Sequence, residues 1–420
     1  MAQDSPAVTN RPPPLGSNYR KLWTASALSN LADGVFQVAL PLLALRLTQS
    51  PGAIAGLALA GRLPWLVFAL QAGALADRLD RRVTMVRVDL ARAVLLGGLA
   101  AIVAVERDEL WLLYIVAFAL GIGETLFDTS AQSVMPNLVA TEDLSRANGR
   151  LYAVELTMNQ FIGPPIGGLL AGTAIALAFA GSAACYLVAA GALFAMMGTF
   201  RAERSGPRTR IRTDIREGVR YLATHRLLRT FAVMVGVMNM CYTASYAVFP
   251  LFAVKPGPLG LSDVGFGILI TFGAIGSLVG SMAAAPAERI LGRHRVLMLS
   301  LILSCPSLAL WATGNLVIVA VSGTLSGFGI VLWNVVTVSL RQRVVPDHLL
   351  GRVNSAYRLL AWGTMPIGAA MGGVIAEIVG LRALFVGCGV VSSSLFLLRR
   401  FFTDEAMDEA ERTKEPAPTS

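Results

Sequence analysis

Twelve runs of roughly 20 mostly apolar residues recur along this chain, near 20–47, 51–73, 83–105, 110–131, 151–170, 174–200, 230–254, 262–285, 294–313, 315–340, 355–378 and 381–402. About 20 helical residues cross a bilayer's hydrocarbon core, roughly 30 Å thick. In lipid every backbone N–H and C=O must be satisfied internally, which for runs of this length means helix. Only 15% of the 420 residues are charged, against about a quarter in soluble proteins. The runs therefore predict an all-α polytopic membrane protein with twelve transmembrane helices. They divide it into a tail (1–19), a six-helix bundle (20–200), a linker (201–229), a second six-helix bundle (230–402) and a closing tail (403–420).

Charge fixes the orientation. Gly73-Ala-Leu-Ala-Asp77-Arg78-Leu-Asp-Arg81-Arg82 is a tight basic turn between the second and third runs. Arginines resist translocation, so this turn is expected on the cytoplasmic side. The other basic clusters fall on the same side: Arg20 and Lys21, Arg146 and Arg150, Arg201 to Arg229, Arg289 to Arg295, Arg341 to Arg352, and Arg399 with Arg400. The opposite turns hold only Arg46, Arg107, Lys255 and Arg382. Both termini are thus expected in the cytoplasm, with the protein in the cell (inner) membrane. The net charge of +9 is a matter of topology and no sign of nucleic-acid binding. Met1 to Ser17 is polar and proline-rich, and no cleaved signal is expected from it.

The polar residues inside the runs carry the chemistry. Asn30, Asp33 and Gln37 share one helix face in the first run, and Arg62 lies at broadly similar depth in the second. An isolated charge at mid-bilayer costs at least ~2.5–3.5 kcal/mol, so Asp33 and Arg62 are expected to pair across their helices. The pair would serve either as a fixed tie or as a proton-operated switch. Asp89 and Arg92 share a face of the third run. Glu124 and Asp128, four apart, look the same way in the fourth. Neighbouring carboxylates hold a proton more readily than isolated ones, which suits a site that loads and releases one. Glu155 lies a turn inside the fifth run, which also carries Gly163-Pro164-Pro165-Ile-Gly167-Gly168. Glycines four apart allow close helix contact, and the prolines bend the axis.

The second half repeats the first at an offset near 205–211 residues. Gly121-Ile-Gly123 is echoed by Gly327-Phe-Gly329, Arg146-Ala-Asn148 by Arg352-Val-Asn354, and Gly163 with Gly167-Gly168 by Gly368 with Gly372-Gly373. Two like-oriented bundles are the pattern of transporters that rock about a central cavity. Most buried charge is missing from the second bundle. Asn239, Tyr242, Tyr246, Trp333 and Asn334 remain there as candidate substrate contacts, alongside Asn30 and Gln37 of the first. For each aromatic taken singly, ordinary packing is the better account. Between the bundles, Ile211, Ile215, Val219 and Leu222 recur at helical spacing among arginines, predicting an amphipathic helix on the anionic inner leaflet. The four cysteines stand singly within runs and suggest neither a disulfide nor a metal site.

The motifs resemble those of the major facilitator superfamily, and more narrowly its macrolide-efflux and enterobactin-exporter-like branch. They are Asp33-Gly34…Leu40-Pro41, Arg62-Leu-Pro64, Gly73-x-Leu-Ala-Asp77-Arg78-x-x-Arg81-Arg82, Gly123-Glu124-Thr125…Asp128, Ala147-Asn-Gly149 and Gly163-Pro164-x-x-Gly167-Gly168. The resemblance implies a conformational switch in which Asp77 sits at the N-terminus of the eleventh helix, restrained by Arg81 and Asp128, with Gly73 and Arg78 in the same motif. It also implies that the Gly163–Gly168 run belongs to an antiporter-like signature. The chain departs from the family at Asp80, where a glycine is usual, and at Arg150 and Asn159 upstream of that signature.

No lysine closes a phosphate-cradling loop, and no nucleophile–base set shares one depth, which argues against an ATP-driven pump or an enzyme. The expectation is a secondary transporter that exports an amphipathic small molecule by alternating access. Asp33, Glu124 and Arg62 are its proton-coupling candidates. It would need no cofactor beyond the proton gradient, and would work as a monomer in the lipid bilayer. Uptake of a nutrient or lipid-like solute, and a non-transporting sensor, are the alternatives.

Overall fold

The computed structural model describes residues 15–76, 79–200 and 211–412. It is helical throughout. Among the described residues no strand forms, and the only pairing of that kind is an isolated bridge between Val254 and Leu261. In chain order the first half holds α1 (Ser17–Leu47), α2 (Pro51–Ala76), α3 (Arg81–Ala104), α4 (Leu110–Val134), α5 (Leu144–Leu156), α6 (Gly163–Thr173) and α7 (Ile175–Phe194). A connecting α8 (Ile211–Thr224) follows. The second half holds α9 (Arg226–Ala253), α10 (Asp263–Leu291), α11 (Arg293–Ser304), α12 (Ser307–Trp311), α13 (Leu316–Val344), α14 (Asp347–Val379) and α15 (Leu381–Ser393), and α16 (Asp404–Arg412) closes the chain.

Ten of these segments are long and apolar enough to cross a membrane. The expected count of twelve is not reached by that measure, for two physical reasons. α3 carries Arg81, Arg82, Arg87, Asp89 and Arg92 in its first half, which lowers its hydropathy. The fifth run is broken: α5 passes through a π-helical turn at Thr157–Ile162 before α6 resumes. Pro164 and Pro165 cannot donate to the carbonyls four residues back, and the extra residue per turn absorbs that loss.

Helix ends follow their sequence. Asp80 accepts from Val83 N (3.1 Å) and starts α3, Ser262 starts α10, and Asn315 accepts from both Val317 N and Ile318 N at the head of α13. α8 does form, with a strongly amphipathic sequence. It does not simply lie on lipid: Leu222 is buried, Gly218 lies against the Arg352 carbonyl of α14, and Glu217 pairs with Arg352. The closing tail folds back as α16. Its Met407 is fully buried, Asp404 accepts from His294 N (3.0 Å), and Glu411 pairs with Arg293 (2.5 Å).

The repeated glycines sit at matched crossings. A methyl on Gly163 would lie 2.6 Å from Gly34 Cα of α1, and one on Gly167 2.7 Å from the Val35 carbonyl. In the second half Gly368 and Gly372 press against Met240 and Ala244 of α9 in the same way. The third glycine of each set faces across the molecule. A methyl on Gly168 would meet the Asp263 carbonyl of α10 at 2.6 Å, and one on Gly373 would meet Ala55 Cβ of α2 at 2.7 Å. The two halves therefore meet along α6–α10 and α2–α14.

Candidate functional site

The buried charge of the first half gathers on α1, α3 and α4, with Tyr186 of α7 beside it. Arg92, 1% exposed, is its centre. Its Nη1 stands 3.8 Å from both Asp33 Oδ2 and Asp89 Oδ1. The guanidinium faces the rings of Tyr186 (5.1 Å) and Phe127 (5.9 Å), which favour a cation by their quadrupoles. Tyr186 OH donates to Asp33 Oδ1 at 2.6 Å, and Ser29 Oγ donates to Asp89 Oδ2 at 2.9 Å. Gly123 makes the room, since a methyl there would lie 2.6 Å from Arg92 Nε. None of the Arg92 nitrogens has a hydrogen-bond partner, so the cation balances between two acids without a close bond to either.

This corrects the expected Asp33–Arg62 pair. Asp33 takes its counter-charge from α3, where Arg92 lies far deeper in the packing than the exposed Arg62. Arg62 instead lies within electrostatic reach of Glu124 in its own half and of Tyr242 and Tyr246 in the other. Those tyrosines stack at 5.6 Å, and Tyr242 meets Trp311 edge-on. One turn along α2, Trp65 stands beside Glu124 and packs edge-to-face on Trp362 of α14 at 5.8 Å. Arg358 covers the Trp362 ring at 4.3 Å. Arg62 thus lies within electrostatic reach of groups from both halves, beside the Trp65–Trp362 contact that joins them.

Asp128 points elsewhere than expected. It lines a small cavity with Ser26, Asn30, Gln132 and Glu155. Arg81, its expected partner in the switch, donates to Asn137 Oδ1 at 3.0 Å, at the end of α4. Asp77 and Arg78 lie outside the described residues, and Gly73 falls in the last turns of α2. Asn30 donates to the Ser26 carbonyl (2.9 Å), and Gln37 is half-buried on α1. Asn239 donates to the Ala361 carbonyl at 2.7 Å, tying α9 to α14. Trp333 is corrected outright: it is 2% exposed and packs edge-on against Phe231 (5.5 Å) and Phe402 (6.5 Å), so it belongs to the core of the second half. Its neighbour Asn334 is exposed. Gly163, Pro164, Gly167 and Gly168 serve the crossings already described, with the Pro164 carbonyl against Gly267.

Polar contacts tie the halves at the end away from both termini. Arg46 of α1 pairs with Asp263 at 3.0 Å and also donates to the Ala171 carbonyl. Glu377 of α14 accepts from Gly52 N (2.9 Å) and Ser50 Oγ (3.2 Å), capping α2 from the opposite half. The sequence shows these residues only as charges in short turns, and nothing in their spacing links them. Arg92, Asp89 and Tyr186 were visible as polar residues in apolar runs. Their convergence depends on which helix faces interlock.

A family model described as transmembrane secretion effector matches residues 12–419. The multidrug efflux pump Tap of Mycolicibacterium fortuitum is 27% identical over 385 residues, covering 86% of this chain and 90% of Tap. Macrolide efflux protein A of Streptococcus pyogenes is 25% identical over 393 residues, covering 89% and 93%. Among solved structures, the nucleoside transporter NupG superposes with a TM-score of 0.70 at 13% identity, covering 92% of this chain and all of NupG. A bacterial homologue of the iron transporter ferroportin, in an inward-facing state, gives 0.68 at 14% identity, covering 91% and 98%.

Proposed function

Because this chain belongs to the transmembrane secretion effector family of the major facilitator superfamily, we propose that it exports amphipathic small molecules in exchange for protons. The observation that carries this reading is that Arg62 of the first half stands within electrostatic reach both of Glu124 and of the stacked Tyr242 and Tyr246 of the second, beside the Trp65–Trp362 contact between the halves (5.8 Å). A carboxylate beside an exposed arginine can exchange a proton for an ion-pair partner. The aromatic pair offers a bulky solute an apolar wall. The efflux pumps named above, matched over most of their length, support the direction.

In this reading the two sets of six spans are rigid bundles, with both termini in the cytoplasm and no cofactor beyond the proton gradient. The contacts Arg46–Asp263 and Glu377–Gly52 then close the outer face, and the solute enters from the cytoplasm. Protonation of Asp33 would remove half of the charge that holds Arg92 between two acids, freeing the guanidinium to turn towards Asp89. The proton stays on Asp33, and that shift on α3 and α1 is how its binding would be felt at the neighbouring crossing of α1 with α6 at Gly34. Binding energy can favour one face only through contacts that differ between the two states.

The test compares cells with and without the intact gene on a panel of toxic amphipathic compounds, macrolides included. Hypersensitivity on deletion, reversed by the wild-type chain but not by Glu124→Gln, is expected. Unchanged tolerance together with lost growth on a nutrient would turn the reading to uptake.

A further inference from the structure

The lining of the cavity beside Asp128 includes neither Arg62 and Glu124 nor Arg92 and its two acids. Five polar side chains line it: Ser26 and Asn30 of α1, Asp128 and Gln132 of α4, and Glu155 of α5. We infer that it is a binding site for one small, hard, monovalent cation, with sodium the ion that fits.

The donor set is the first argument. The lining offers two carboxylates, a hydroxyl and two side-chain amides, and hard cations take oxygen ligands. Asn30 spends its Nδ2 on the Ser26 carbonyl at 2.9 Å, which leaves Oδ1 for a ligand. Ser26 supplies the second, independent sign. It is 2% exposed, yet its Oγ has no hydrogen-bond partner. A buried hydroxyl left unsatisfied is costly, and coordination to a cation removes that cost.

Charge and size narrow the class. The charges acting on Asp128 are Glu124, Glu155 and Asp33, all of its own sign, and Arg92, which is shared between Asp33 and Asp89. A bound cation would relieve that repulsion. The cavity has about 20 Å³ of room for water-sized contents, and roughly 10–15 Å³ suffices for one water. An organic solute does not fit. Magnesium usually keeps several of its waters, for which this space has no room, and calcium is set against sodium in the test below.

This inference does not rest on the efflux reading; a chain that bound sodium here and exported nothing would satisfy it. The test follows thermal unfolding of the full-length protein in detergent, in sodium, potassium or choline chloride at equal ionic strength, with a separate calcium series. Sodium is expected to raise Tm saturably by about 2–4 °C or more, while choline and potassium leave it unchanged. Asp128→Asn should abolish the response. Ser26→Ala, a smaller change, should raise the half-saturating sodium concentration roughly tenfold. Glu405→Gln, on the exposed face of α16, should keep the wild-type response. Should Asp128→Asn fail to fold, binding of radiolabelled sodium to wild type and Ser26→Ala gives the same decision. Equal Tm in all salts, a rise in calcium alone, or a sodium response that Ser26→Ala leaves untouched would overturn the assignment.

Discussion

The two halves of this protein share a backbone plan and differ in what they bury. The second glycine of each Gly-x-Gly pair presses on the neighbouring span. Gly123 presses on Arg92 of α3, whereas Gly329 presses on Ser300 and Ser304 of α11. Around Arg92 stand Asp33 and Asp89; Ser300 and Ser304 spend their hydroxyls on the carbonyls of Leu297 and Ser326. The second half fills its interior with rings instead: Phe249 on Trp311 (4.5 Å), Phe252 on Phe385 (5.2 Å) and Phe231 on Trp333. One packing solution thus supports a charged interior at the first crossing and an uncharged one at the second, whose half keeps its buried Arg341 elsewhere, over the Tyr357 ring at 4.0 Å. Charge buried at such cost, where serine serves the same crossing, calls for a functional reason.

The comparison breaks most readily at Arg92. Arg92→Leu leaves Asp33 and Asp89 buried without their cation, and about 3–5 kcal/mol of stability should be lost. Ser304→Ala, at the matching crossing, should cost about 1 kcal/mol or less. Thermal unfolding of the two variants in the same detergent measures the contrast, and equal losses would erase it. The crossings between halves come next. Gly168→Val sets a side chain against the Asp263 carbonyl, and Gly373→Val does the same against Ala55. Each should push the halves apart at the end away from the termini, seen as a longer distance between spin labels placed there. Glu377→Gln, which weakens a cap without adding bulk, should shift the same distance less.

The smallest effect concerns His225, which caps α9 by accepting from Leu228 N (3.4 Å). Burial pushes its imidazole pKa down. The unfolded chain therefore takes up the proton more readily than the folded one. Stability from this group is full above the unfolded pKa and falls as pH drops through it. Wild type should lose a little Tm between about pH 7.5 and about pH 5.5, and His225→Asn, which can still cap, should lose less.

Much of the fold was legible because lipid leaves so few choices. The apolar runs, the basic turns and the repeated glycines each bear on one physical demand, and the glycines fell on the crossings their spacing implied. The site was legible by residue type and less so by partnership. Asp33 and Arg62 share a depth along their helices, but depth says nothing of rotation about the axis. It is rotation, set by Gly34 against the π-helical turn and by Gly123 over Arg92, that gave Asp33 to α3. Trp333 misled for a related reason: an aromatic in a span faces cavity or core according to an angle that one sequence does not display. The cap of Glu377 on Gly52 joins residues 325 positions apart, beyond the reach of any local pattern.

The central claim is that Glu124 couples a proton gradient to movement of solute. The most direct measurement uses purified protein in liposomes, with an imposed pH difference and ethidium or a radiolabelled macrolide as the transported probe. Wild type is predicted to drive the probe against its gradient. Glu124→Gln is predicted to lose that uphill movement while still exchanging probe for probe at equilibrium. Full gradient-driven transport by Glu124→Gln would contradict the account.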